Sequence, residues 1–226
     1  MPVACRAVLA LIMLLVLATP AAARAPVPPP PDLAAAAAAA TTPAAISMAK
    51  TNFRQVHGTD PATVTIADRA FAAYVLNPAF VQGLPGAPAG ILQYVAVTAT
   101  AATGEHATLR ATQDPTGTWT VDSAFSGNDE EVLSARLGPD SVLLNEPQIN
   151  GWYELTATGV VLLQASLPQS PVGTPIPLAD YQTQVESRYG DSPPPQHPTK
   201  PPWTIPFIVA GIALLGIVLY RRFRCT

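Results

Sequence analysis

The stretch Ala107–Phe125, "ATLRATQDPTGTWTVDSAF", decides the fold. Ala107, Leu109 and Ala111 alternate with Thr108, Arg110 and Thr112, and Trp119, Val121, Ser123 and Phe125 alternate with mostly polar neighbours. That is the period of half-buried strands. Between the runs, Asp114, Pro115 and Gly117 stand first, second and fourth in "DPTG", the places a type I turn prefers for them. "ILQYVAVTAT" (Ile91–Thr100), ending before Thr103-Gly104, supplies a preceding strand and completes a three-stranded meander. A second hairpin is predicted from "INGWYELT" (Ile149–Thr156) through a turn at Thr158-Gly159 to "VVLLQ" (Val160–Gln164). The Thr-Gly pairs at the turns read as turn chemistry, glycine supplying positive φ.

Two helices frame that hairpin. "NDEEVLSARLG" offers Asn128 as cap, Glu131 three residues on, acids in the first turn and Gly138 past the end. "LADYQTQVESRYG" places Leu178, Tyr181, Val185 and Tyr189 on one stripe and stops at Gly190. Antiparallel hairpins with interspersed helices predict a small α+β domain over 62–190, with a sheet and two or three helices. About 130 residues suffice for a single core without staples.

The flanks have a different composition. Residues 24–61 begin "RAPVPPPPDLAAAAAAATTPAA", which reads as a Pro/Ala-rich linker with a frayed Ala helix after Asp32. A short amphipathic helix follows, with Thr42 as cap, Pro43 in the first turn, and Ile46, Ala49, Phe53 and Val56 close to one face. Residues 191–202, "DSPPPQHPTKPP", predict a Pro-rich stalk roughly 35–40 Å long in polyproline II geometry.

Both ends of the chain speak of a membrane. Arg6, the apolar run Ala7–Ala18, and Ala21 and Ala23 at the −3 and −1 places predict a signal peptide over 1–23. From Trp203 to Tyr220 there is no charge, a length of roughly 27 Å as a helix, enough to span a bilayer. Trp203 and Tyr220 suit the two headgroup levels, and Arg221, Arg222 and Arg224 predict that residues 221–226 form a cytoplasmic basic tail. The segment before the helix, "HPTKPPW", has no L-P-x-T-G sorting motif, so residues 203–220 read as a permanent transmembrane anchor at the plasma membrane. Gly211 and Gly216 are five apart and make no G-x-x-x-G dimer face; the sequence leaves the oligomeric state open.

Cys5 and Cys225 fall in the signal and the tail, so the exported part is expected to hold no disulfide and no cysteine-based metal or redox site. Between Arg24 and Lys200 stand 15 acidic and 8 basic residues, a net charge of −7. An acidic body argues against nucleic acid as a partner. No nucleophile elbow, P-loop, dinucleotide fingerprint or H-E-x-x-H occurs, and no cofactor is implied. His57, His106 and His197 fall in a linker, a turn and the stalk, with no ligand spacing. Asp129, Glu130 and Glu131 read as first-turn acids complementing a helix N-terminus, and Asp114 as a turn residue.

The remaining candidate is "NEPQINGWYEL" (Asn145–Leu155), where Asn145, Glu146, Gln148, Asn150 and Trp152 form a polar run with an aromatic in it. On a strand starting at Ile149, the inward set is Ile149, Gly151, Tyr153 and Leu155, and Trp152 shares the other face with Asn150 and Glu154. An exposed tryptophan among amides and acids suits carbohydrate or peptide contact. The competing reading is a helix that covers Trp152 as a second core layer.

The Ala-, Pro- and Arg-rich, Lys-poor composition resembles that of high-GC actinobacteria. "VLNPAFVQG" (Val75–Gly83), "FSGNDEE" (Phe125–Glu131), "EPQINGWYEL" (Glu146–Leu155) and "YQTQVESRYGD" (Tyr181–Asp191) resemble phrases of exported actinobacterial single-pass membrane proteins. The resemblance implies a signal peptide, one small ectodomain, a low-complexity stalk and a terminal helix, and brings no activity or site residue. The expected role is a membrane-tethered binding or accessory domain, with a membrane or envelope protein as partner. An envelope enzyme acting on glycan or peptide, through Glu146, Glu154 or Asp122, and a passive spacer protein are the alternatives.

Overall fold

The computed structural model describes Val27 and residues 31–190, which fall in one compact unit. The expected signal peptide, the stalk, the helix 203–220 and the basic tail lie outside the described residues. Among the described residues no helix is long and apolar enough to cross a membrane.

The domain is α+β, built on one eight-stranded sheet. Strand β1 (Val64–Leu76) runs through its centre, and β2 (Gly90–Ala101), β3 (His106–Gln113) and β4 (Trp119–Ser126) meander outward from it. The chain then returns along helix Asp129–Ser134 to β5 (Val142–Glu146), which lies parallel to β1 on its other side. From there β6 (Gly151–Leu155), β7 (Gly159–Ala165) and β8 (Pro175–Pro177) meander outward the opposite way. The order is β4-β3-β2-β1-β5-β6-β7-β8, antiparallel except at β1/β5. The predicted meander and hairpin are both present. The β3–β4 turn closes as its residues dictate: Asp114 Oδ1 accepts from the Thr116 and Thr118 amides at 2.8 and 3.0 Å, and Gly117 takes φ 88°.

Helices α1 (Leu33–Ala40) and α2 (Pro43–His57) stand where the frayed Ala helix and the short amphipathic helix were expected, but both pack on the sheet instead of lying in a free linker. Asp32 and Thr42 cap them, each side chain accepting an amide three residues on, at 3.0 and 3.3 Å. Ala36 packs on Val95 and Ala111, and Ala40, Ala45, Ala49 and Phe53 on Val97, Ala99, Ala107 and Leu109. An alanine face buries little area per residue, but it lets the helix backbone approach an equally alanine-rich sheet closely, and the gain is dense contact. The buried face of α2 is Ala45, Ala49, Asn52 and Phe53, rotated from the predicted one, so that Val56 is 54% exposed. Asn52 Nδ2 donates to the Ala124 carbonyl at 3.2 Å, fixing α2 over β4.

On the same sheet face, α3 (Pro78–Val81) and α5 (Leu178–Tyr189) cover the other meander. Phe80, Tyr181 and Val185 pack there on Tyr74, Leu144, Tyr153, Leu155 and Leu162. Among the described helices α4 (Asp129–Ser134) is the one on the opposite face, its Leu133 set among Ala73, Tyr94, Ala96, Leu143, Trp152 and Leu163. It ends four residues before Gly138, and Asn128 makes no side-chain cap; its Nδ2 donates to Glu131 Oε2 at 3.4 Å instead. Both the cap and the length expected of this helix are corrected by that geometry.

Candidate functional site

The polar run Asn145–Trp152 does not form one surface. The strand expected to start at Ile149 starts at Gly151, because Pro147–Ile149 make a 3-10 turn and Asn150 closes it in the left-handed region, φ 46°. Gly151 accommodates that closure, since a Cβ there would stand 2.7 Å from Ile149 Cδ1. Asn150 is exposed and donates to Ser166 Oγ at 2.8 Å, and Gln148 is exposed beside it. Asn145 is half-buried and donates to the Gly151 carbonyl at 3.1 Å. Trp152 is 7% exposed, in the cluster of Leu133 and Leu163, so the covering-helix reading holds and the exposed-platform reading is corrected. The inward set was placed correctly: Ile149, Gly151, Tyr153 and Leu155 are all buried.

Glu146 is 0% exposed, at the end of β5. Its Oε1 accepts from Arg188 Nη2 at 2.8 Å and from Tyr189 OH at 2.5 Å, and its Oε2 accepts from Tyr181 OH at 3.1 Å. All three donors lie on α5, so the carboxylate ties the last helix to the middle of the sheet. Burial raises the Tyr189 phenol to about 12, the hydrogen bond to Glu146 adding to it. Burial likewise raises Tyr153 and Tyr181, with the Glu146 charge reinforcing both. Burial alone would lower the Arg188 guanidinium, but the charge and hydrogen bond of Glu146 together with those of Tyr189 outweigh it and the net shift is upward.

A second carboxylate sits on the opposite face. Glu130, 4% exposed, accepts from Tyr94 OH at 2.6 Å and from Thr108 Oγ1 at 3.0 Å, and Arg110 Nη2 is 3.6 Å away. The Arg110 guanidinium lies 4.2 Å from the Tyr94 ring centre and 3.8 Å from that of Phe125. Glu131 Oε2 accepts from Thr98 Oγ1 at 2.7 Å. Two of the three acids read as helix-dipole partners thus reach across to strand hydroxyls and pin α4 to the sheet. A Thr-rich strand pair followed later in the chain by a short acid-rich helix gave no periodic signal of that contact.

Neither cluster offers a reacting group to a substrate, because each carboxylate is buried with its oxygens taken up by the protein's own donors. Among the described residues no group of three or more His, Cys, Asp and Glu could hold a metal ion. His106 Nδ1 is 3.1 Å from Thr100 Oγ1, and His57 stacks near Phe53, its ring centre 6.3 Å away.

An accessible concavity among the described residues lies elsewhere. β5 pairs with β1 only over Ala73–Val75 and begins at Val142, beside Ala72, so β1 runs past the end of β5 with one side of Ala70 and Phe71 lacking a strand neighbour. There the surface forms a groove of about 370 Å³, lined among others by Leu33, Arg69, Phe71, Tyr74, Leu137 and Leu143. Arg69 stands over the Phe71 ring, 5.2 Å from its centre. Sequence reading missed this groove because β1 and β5 carry no alternating pattern: the bulge at 67–69 shifts the register of β1, and β5 is buried on both faces. Comparison of the chain with family models, curated proteins and solved structures returned no match.

Proposed function

We propose that the chain is a membrane-tethered binding or accessory domain of the cell envelope, exported, held by residues 203–220, and acting through an envelope or membrane protein partner. The observation that carries the binding half is the pairing of two facts about side chains. The buried carboxylates Glu130 and Glu146 are consumed in holding helices to the sheet, while the open concavity has apolar walls and one cation at its rim. That composition recognises a ligand and lacks an acid–base pair. The tether rests on the uncharged run Trp203–Tyr220 between Lys200 and Arg221, Arg222 and Arg224.

The test is co-purification of the tagged full-length chain from membranes in mild detergent, beside a form ending at Pro202. The full-length chain is expected to resist alkaline extraction, the shortened form to be released, and both to recover the same partner. Extraction of the full-length chain at alkaline pH would sink the tether. A partner recovered with neither form would sink the accessory role.

A further inference from the structure

We infer that the β1/β5 groove takes a short extended peptide segment bearing a carboxylate, which continues the line of β5 along Ala70 and Phe71 and sets its acid against Arg69. This rests on the binding-domain reading and names its surface and the chemistry of its partner. Three observations carry it.

The first is the break in the ladder. β1 is paired along its length with β2, from Val64↔Ala101 to Leu76↔Gly90, but with β5 only at Ala73↔Leu143, Tyr74↔Leu144 and Val75↔Asn145. One side of the strand just before Ala72 is therefore an edge inside the sheet and not at its rim. An edge offers backbone donors and acceptors to an incoming strand, and pockets beside it select side chains.

The second is its length. The register with β2 jumps from Ile66↔Ala99 to Ala70↔Val97, so Ala67–Arg69 bulge out of the strand. A bulge ends regular pairing. It leaves Ala70 and Phe71 as free edge, about 7 Å at about 3.3 Å per residue, Ala72 already standing beside Val142 at the start of β5. Such a window admits one short segment and resists the open-ended pairing that exposed edges invite.

The third is charge. Among the described residues Arg54, Arg110 and Arg188 each have a carboxylate partner, at 3.5, 3.6 and 2.8 Å. Lys50 and Arg136 donate to the Ala62 and Leu163 carbonyls. Arg69 has only the Phe71 ring, at the groove rim, in a body whose net charge is −7. In a net acidic body an arginine without a carboxylate partner draws an acidic ligand to this rim, so one carboxylate fixes the segment's position and direction.

The test uses the purified full-length chain in detergent and the peptide acetyl-Thr-Val-Thr-Asp-amide, with the Asn peptide as its control. Backbone amide exchange locates the peptide and anisotropy of a labelled copy measures it. Slowed exchange over residues 68–73 is expected. The Asp peptide should bind about two- to five-fold more tightly than the Asn peptide at low ionic strength, the size of one exposed ion pair. Arg69→Gln should erase that ratio and leave the circular dichroism spectrum unchanged. Absence of protection at millimolar peptide, protection confined to another segment, or a ratio that survives Arg69→Gln overturns the inference. So does finding residues 70 and 71 already protected in the free chain and opened by deletion of residues 24–30, which would make the chain's own N-terminal segment the occupant. A partner recovered equally by the native chain and by Arg69→Glu overturns the groove but leaves the binding domain standing. Peptide capture by a chain that recovers no partner from membranes does the reverse.

Discussion

Changing Glu146 to glutamine tests whether the last helix is held to the sheet by a buried charge. The substitution preserves shape and leaves one oxygen acceptor, but it removes the charge that strengthens three hydrogen bonds, from Arg188, Tyr181 and Tyr189. Charge-assisted bonds contribute about 1.5–3 kcal/mol and neutral ones about 0.5–1.5, so each bond loses about 1 kcal/mol and the site about 3. For a domain of this size that lowers the thermal midpoint by about 6–12 °C. Arg188→Met should cost more, about 4 kcal/mol, because it strands a carboxylate that is 0% exposed, whereas the Arg188 side chain, 20% exposed, can turn toward water. The double variant Glu146→Gln/Arg188→Met should cost little more than Glu146→Gln alone, giving a coupling of at least about 2 kcal/mol. Urea unfolding of the four proteins, followed by far-ultraviolet circular dichroism, measures all of these. If Glu146→Gln falls within about 0.5 kcal/mol of the native chain, or costs more than Arg188→Met, the reasoning about a buried charge holding α5 is refuted.

Phe53→Ala should destabilise the domain by about 3–5 kcal/mol in the same assay; a linker residue would give nothing, so a neutral result would mean that α2 does not pack on the sheet. Trp152→Ala should lower stability by a similar amount, and its effect on partner recovery should disappear under conditions where the variant is fully folded; selective loss of a partner by a variant of native stability would place the indole back on the surface. Rising pH should unfold the domain. Tyr189 titrates near 12 in the fold, and Tyr94, Tyr153 and Tyr181 are also raised above their unfolded value of about 10, so the neutral phenols stabilise the fold below that pH. That stability is lost as pH climbs through the folded values, so tyrosinate absorbance and loss of circular dichroism should rise together. Tyrosinate formed near pH 10 with the fold intact would contradict the burial of these phenols.

The sequence by itself determined whatever is written in neighbouring residues. The strand alternation from Ala107 to Phe125, the Asp114–Gly117 turn, the Gly151–Ala165 hairpin and the Leu178–Tyr181–Val185 stripe all depend on contacts within a few positions, and each was legible. The cap at Thr42 was legible for the same reason. Tertiary structure decided everything that depends on partners distant in the chain. Ala36 and Ala49 are buried because an alanine-rich sheet face receives them, a fact the Pro/Ala composition of 24–61 conceals. Trp152 is core because α4 arrives from another part of the chain to cover it. Glu146 looked like one polar residue in a surface run, and became a buried tie through donors 35 to 43 residues away. The groove exists because a parallel pairing between β1 and β5 stops after Val75↔Asn145 at one end and Ala73↔Leu143 at the other. Local pattern specifies which way a side chain points from its own strand or helix; only the packed fold specifies what stands opposite, and burial depends on both.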